Sequence, residues 1–274
     1  MAFFLAEMSS IAKPHEIPAQ KGRPQNMTTP ENETSHDETG REAGPGSGTG
    51  RTPQPVFNLA PVIVVVSLIC VAVHLLRGWI STNAEQWLFV HAAFFPLRYR
   101  PDILTLDMPT LFSPVTYAFL HGVWTHLGLN LVWLAVFGSP VAFRIGGLRS
   151  LLFWLVTAAF AALTHLIVYY GSPVPVIGAS GAVSGFLGAA ARYGLRANRA
   201  APRRGFDGPL LSIGQTLNSR RVFPFLAVWV ILNIAVGSGF FGFFGESPGI
   251  AWEAHLGGLA AGFLLIGAFD HRRA

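Results

Sequence analysis

Long apolar runs separated by short polar connections dominate the chain from residue 57 onward. A helix that crosses the hydrocarbon core of a bilayer needs about 20 mostly apolar residues. Six runs meet or approach that length: 59–76, 123–143, 148–170, 176–191, 222–244 and 250–269. The fourth is the shortest and is rich in Gly and Ala. This pattern predicts an all-α, polytopic membrane protein, a bundle of six transmembrane helices over 57–270.

Residues 1–56 read differently. Pro14, Pro18, Pro24, Pro30 and Pro45 punctuate them, and 44–52 is almost entirely Gly, Ser and Thr. Such a segment cannot bury enough apolar surface to offset chain entropy, so a disordered cytoplasmic tail is expected there. Glu7 interrupts the apolar start well short of the roughly 7–15 residues of a signal-peptide core. At the other end, 271–274 is expected to be a short basic cytoplasmic terminus.

Composition narrows the class. Charged residues make up 12% of the chain, about half the usual share of a soluble domain, which argues against an ordinary soluble enzyme. The net charge of +5 does not form one basic face, so no nucleic-acid partner is expected. Cys70 is the only cysteine, and no cluster has metal-ligand spacing, so neither a disulfide framework nor a metal or organic cofactor is implied.

The basic residues also predict orientation. Arg144 and Arg149 lie between runs two and three, and Arg192, Arg196, Arg199, Arg203, Arg204, Arg220 and Arg221 between four and five. Connections 171–175 and 245–249 hold no Lys or Arg. Short basic connections stay on the cytoplasmic side, which puts both termini there. The long connection 77–121 is then external. Its Trp79, Trp87, Phe89, Phe94, Phe95, Tyr99 and Phe112 suit the outer interface, either as an anchor belt or as a substrate gate.

Polar groups inside apolar runs are costly and are therefore functional candidates. Ser180 opens run four, His255 opens run six, and His126 and Asn130 share one helical face of run two. All four fall within about two turns of the predicted outer end. Runs four and six also carry Gly181-x-x-x-Gly185, Ser184-x-x-x-Gly188, Ala254-x-x-x-Gly258 and Gly258-x-x-x-Gly262. Small residues at this spacing let membrane helices approach closely, which would bring Ser180 beside His255. Ser67, Ser184, His74, His165 and His121 have structural readings instead. Glu253 lies two residues before His255 and should face away from it.

The set Gly178-Ala-Ser180-Gly181, His255 followed by Gly258 and Gly262, and His121-Gly-Val-Trp-Thr-His126-Leu-Gly-Leu-Asn130 resembles the rhomboid family of intramembrane serine proteases, over residues 57 to 270. The resemblance implies that Ser180 is the nucleophile and His255 the general base. It implies an oxyanion hole from His126, Asn130 and the Ser180 backbone N–H, with Gly178 admitting the substrate backbone. It further implies a bacterial inner-membrane enzyme that cleaves single-span membrane proteins near the outer face, within the lipid bilayer. With no aspartate to orient the imidazole, the reading is a Ser–His dyad fixed by helix packing. The sequence departs from the family pattern at Phe112-Ser113, where many members carry Trp-Arg, and at Ala142, where many carry Glu. A catalytically inactive rhomboid-like helix-binding protein is the alternative. A small transporter is a further one, though neither internal repeats nor midplane helix breaks support it.

Overall fold

Each of the six apolar runs contains one helix of the computed structural model, which describes residues 59–197, 205–238 and 251–271. The expected tail 1–56, residues 272–274 and the connection 245–249 lie outside the described residues. The first helix, α1 (Pro61–Arg77), starts on a proline, whose missing N–H costs nothing in a first turn. The connection after it holds two short helices, α2 (Thr82–Ala92) and α3 (Met108–Thr116). Ser81 caps α2, and Asp107 caps α3 by accepting from the Thr110 N–H at 2.9 Å. Next come α4 (Trp124–Ile145), α5 (Gly147–Val168), α6 (Ser180–Arg192), α7 (Ile213–Leu217), α8 (Val222–Gly237) and α9 (Trp252–Phe269). Among the described residues there is no strand, only a single antiparallel bridge between Phe94 and Val176.

Three helices, α4, α5 and α9, are long and apolar enough to cross a membrane by length and composition, and α1 and α8 are shorter apolar helices. The molecule is thus an all-α membrane bundle. α4 is continuous through one wider π-type turn at Leu134–Gly138. Between α4 and α5 the chain reverses at Gly146, whose φ of +87° places it where side chains are strained.

α6 is the axis of the bundle. Every residue from Gly181 to Arg192 is buried, with α5 on one flank and α9 on the other. Glycine makes this possible. A methyl group on Gly258 would collide with the Gly181 carbonyl, one on Gly262 with that of Gly185, and one on Gly188 with that of Leu259. The backbones of α6 and α9 therefore touch in parallel register, the small-residue packing expected of membrane helices. On the α5 side, Ala161 and Thr157 leave equally little room at Gly181 and Gly185. At 13 residues, α6 is only about 20 Å long, short of the roughly 30 Å hydrocarbon core.

The two departures from the family pattern are both absorbed locally. Beside Ala142, Arg144 pairs with Asp270 at the end of α9, 3.0 Å away and almost fully buried. Tyr193 donates to the same carboxylate at 3.0 Å, and Arg144 also donates to the Phe206 carbonyl. Near Phe112-Ser113, Arg98 donates to the Val90 and Ala93 carbonyls, and Tyr99 donates to the Thr110 carbonyl at 2.7 Å. Ser113 itself is fully buried. Around this well-bonded connection, Trp79, Trp87, Leu106 and Met108 stand exposed, an apolar rim suited to a bilayer interface.

Candidate active site

The site is built at the head of α6. Gly178 has φ +114°, and a Cβ there would lie 2.6 Å from His126 Cε1. Glycine is thus required twice, for the backbone angle and for the imidazole lying over it. The turn that presents Ser180 hangs from the connection between α1 and α4. The Gly178 N–H donates to the Tyr117 carbonyl at 3.0 Å, and the Ala179 N–H donates to His121 Nε2 at 3.3 Å. Tyr117 is anchored in turn by donating to the Ala158 carbonyl of α5 at 2.9 Å.

His121 is fully buried. Burial, with His126 as the next contributor, pushes its imidazole down to about 4. It is therefore neutral near pH 7, as an acceptor from an N–H must be. Its own carbonyl accepts from His74 Nδ1 at 3.0 Å and from the Arg77 guanidinium.

Ser180 and His255 meet: Ser180 Oγ and His255 Nε2 are 2.7 Å apart. Ser180 is the first helical residue of α6, so its backbone N–H has no partner within the helix and lies at the positive end of the helix dipole. His126 sits against Gly178. Asn130 is buried one turn further along α4, and its Nδ2 donates one hydrogen to the His126 carbonyl at 2.9 Å, leaving the second. Ser184 donates to the Ser180 carbonyl at 2.7 Å, the backbone role read for it. Glu253 faces away from His255, as its spacing requires, and accepts from His165 Nδ1 at 2.5 Å.

One neighbour of the imidazole escaped sequence reasoning. Asn233 of α8 has its Oδ1 2.7 Å from His255 Nδ1, and its Nδ2 donates to the Trp229 carbonyl at 2.8 Å. The sequence offers no aspartate for this role and leaves the imidazole to helix packing, whereas Asn233 gives it a hydrogen-bonding partner. The missed signal was available: Asn233 is the one hydrogen-bonding amide side chain in the apolar stretch of α8, and such a group in a membrane helix is a functional candidate.

A family profile described as Rhomboid domain matches residues 109–272. Rhomboid protease GlpG of Yersinia pestis (strain Pestoides F) is 29% identical over 160 residues, covering 58% of this chain and 48% of that protein. The protein of the same name from Yersinia pseudotuberculosis serotype O:3 (strain YPIII) matches to the same extent. Rhomboid-like protein 11, chloroplastic, of Arabidopsis thaliana is 38% identical over 95 residues, 34% of each chain. The chain spans about half the length of the Yersinia relatives it matches.

Proposed function

This chain belongs to the rhomboid family, and on that premise we propose that it is an intramembrane serine endopeptidase that cleaves single-span membrane proteins near the outer face. The observation that carries the proposal is the 2.7 Å contact between Ser180 Oγ and His255 Nε2. A free serine hydroxyl is a weak nucleophile. Here the Ser180 O–H donates to His255, which takes the proton as Oγ attacks a substrate carbonyl and then delivers it to the leaving amine. Water next attacks the acyl-serine, with His255 again as base, and releases the new carboxylate.

The oxyanion formed at each step carries a full negative charge and needs donors in place beforehand. The Ser180 N–H at the helix head, the second Asn130 Nδ2 hydrogen and the His126 ring supply them. Gly178 leaves room for the substrate strand. A helix too short to span the hydrocarbon core leaves room above its head for the reacting serine to be reached by water, since a polar, hydrated hollow is tolerated if protein lines it.

Substrate class follows from backbone physics. A membrane helix hides its carbonyls in its own hydrogen bonds, and each one left unsatisfied in lipid costs several kcal/mol. The substrate is therefore a helix that frays easily at its upper end, through Gly, Pro or other weak helix formers; the resemblance to rhomboid proteases adds a small residue before the cut. Six membrane crossings and two cytoplasmic termini complete the proposal. The arginine-rich connections, which stay on the cytoplasmic side, support that orientation.

The test is cleavage of a model single-span substrate by the reconstituted protein. Wild type should cut near the outer interface, and Ser180→Ala and His255→Ala should abolish the cut while still inserting and folding. Asn130→Ala should lower the rate by about 10²–10³, less than either. Cleavage by Ser180→Ala at the wild-type rate would refute the assignment. A folded wild type that binds the helix without cutting it would point to the inactive, helix-binding alternative.

A further inference from the structure

We propose that Asn233 is a positioning residue of this site, which selects the histidine tautomer that can act as base. The inference rests on the protease reading of Ser180 and His255 and deepens it. A neutral imidazole carries one proton on either of two nitrogens, and only the form with Nε2 bare can accept the serine proton. Nothing on α6 or α9 makes that choice. The Ser180 hydroxyl can either donate to Nε2 or accept from it, so the 2.7 Å contact is compatible with both tautomers.

Asn233 removes the ambiguity through its second bond. An amide has one accepting and one donating end, which the surrounding hydrogen bonds tell apart. The Trp229 carbonyl, 2.8 Å from one end, can only accept, so that end is the NH₂ group. The opposite end, 2.7 Å from His255 Nδ1, is then the carbonyl oxygen. Turning the amide over would set its oxygen against the Trp229 carbonyl oxygen, which can only accept. The proton of His255 is therefore held on Nδ1, and Nε2 presents its lone pair to Ser180. A backbone carbonyl of α8 thus determines, through one side chain, which way the Ser180–His255 hydrogen bond runs. A neutral amide does this without adding a charge to a helix that otherwise offers only apolar side chains from Val222 to Gly237.

The experiment uses full-length protein labelled with ¹⁵N-histidine in bicelles, where nitrogen shifts report the tautomer without substrate. His255→Gln identifies the signal. Wild type should show His255 protonated on Nδ1. Asn233→Leu should lose that preference and lower kcat about tenfold or more, with KM changed by less than twofold. Asn233→Asp keeps the acceptor and loses the donor to Trp229, so it should retain the Nδ1 proton and cut faster than Asn233→Leu.

A role confined to helix packing predicts the reverse order, with the Asp variant no better than Leu. That order would overturn the proposal, as would an Nε2-protonated wild type or an Asn233→Leu variant with unchanged tautomer and kcat. Because the tautomer is read without turnover, a failure of the protease reading, seen as cleavage by Ser180→Ala, stays distinguishable from a failure of this one.

Discussion

α6 and α8 touch the same imidazole from opposite sides, yet they are held in opposite ways. α6 delivers Ser180 to Nε2 from a helix buried along nearly its whole length. α8 delivers Asn233 to Nδ1 from a helix in which only Val222 and Leu226 are buried, while Phe223, Val228, Ile231 and Leu232 stand exposed. The bond in which chemistry takes place sits where two glycine-lined backbones lock, since a misplacement of about 1 Å can cost 10²-fold in rate. The bond that orients the base is carried by a helix that is thinly packed by comparison, with two buried residues. Movement of α8 would thus disturb the tautomer before it disturbed the distance from Ser180 to His255.

The largest test of this contrast is at the lock itself. Gly258→Val would drive two methyl groups into the Gly181 carbonyl, a backbone atom with nowhere to go. Overpacking typically costs about 1–3 kcal/mol where side chains can yield; here they cannot, and loss of both folded protein and cleavage is expected. Thermal unfolding in detergent, alongside the cleavage assay, checks it. A stable, active Gly258→Val protein would mean that α6 and α9 do not meet backbone to backbone.

That lock is legible in the sequence, because paired small residues four apart have one common use in membrane helices. The helices were legible for a similar reason: apolar runs must be helical where no water can satisfy the backbone. Less visible was where α6 starts. The apolar run begins at residue 176, but Val176 is tied to Phe94 and Gly178 has a positive φ, so the helix opens only at Ser180. Tertiary bonds to the connection between α1 and α4 outweigh the local pattern there. Asn233 was hidden for another reason. Its significance depends on the amide facing His255 and not lipid, a rotation about α8 that a uniformly apolar helix does not encode. The Arg144–Asp270 pair, separated by 126 positions in the chain, is likewise a product of the assembled bundle.

A change of middle size probes the loosely held side. Gly237 closes α8, and a Cβ there would lie 2.6 Å from Trp252 Cβ and Cγ at the start of α9. Gly237→Val should tilt that end of α8 away from α9, one turn beyond Asn233. Cleavage should fall on the order of tenfold through lost orientation of His255. The unfolding temperature should fall far less than for Gly258→Val. If both variants lost the same stability, α8 would be as firmly packed as α6 and the contrast would fail.

The smallest effect separates the two helices by matched truncations. Leu187 of α6 is 2% exposed and packs with Val222, Leu226 and Leu259, so Leu187→Ala leaves a cavity and should cost about 2–5 kcal/mol. Leu232 of α8 is 46% exposed. In the bilayer its outer surface meets acyl chains, which are as apolar as leucine itself, so the hydrophobic effect gives no reason for it to prefer protein over lipid. Leu232→Ala should therefore change stability by no more than about 0.5 kcal/mol. Unfolding of the two variants under one bilayer-mimetic condition supplies the comparison, and cleavage by Leu232→Ala should stay within twofold of wild type. A loss at Leu232 as large as that at Leu187 would mean that another protein surface covers α8, and the orienting bond to His255 would then rest on a helix as tightly held as the one that carries the serine.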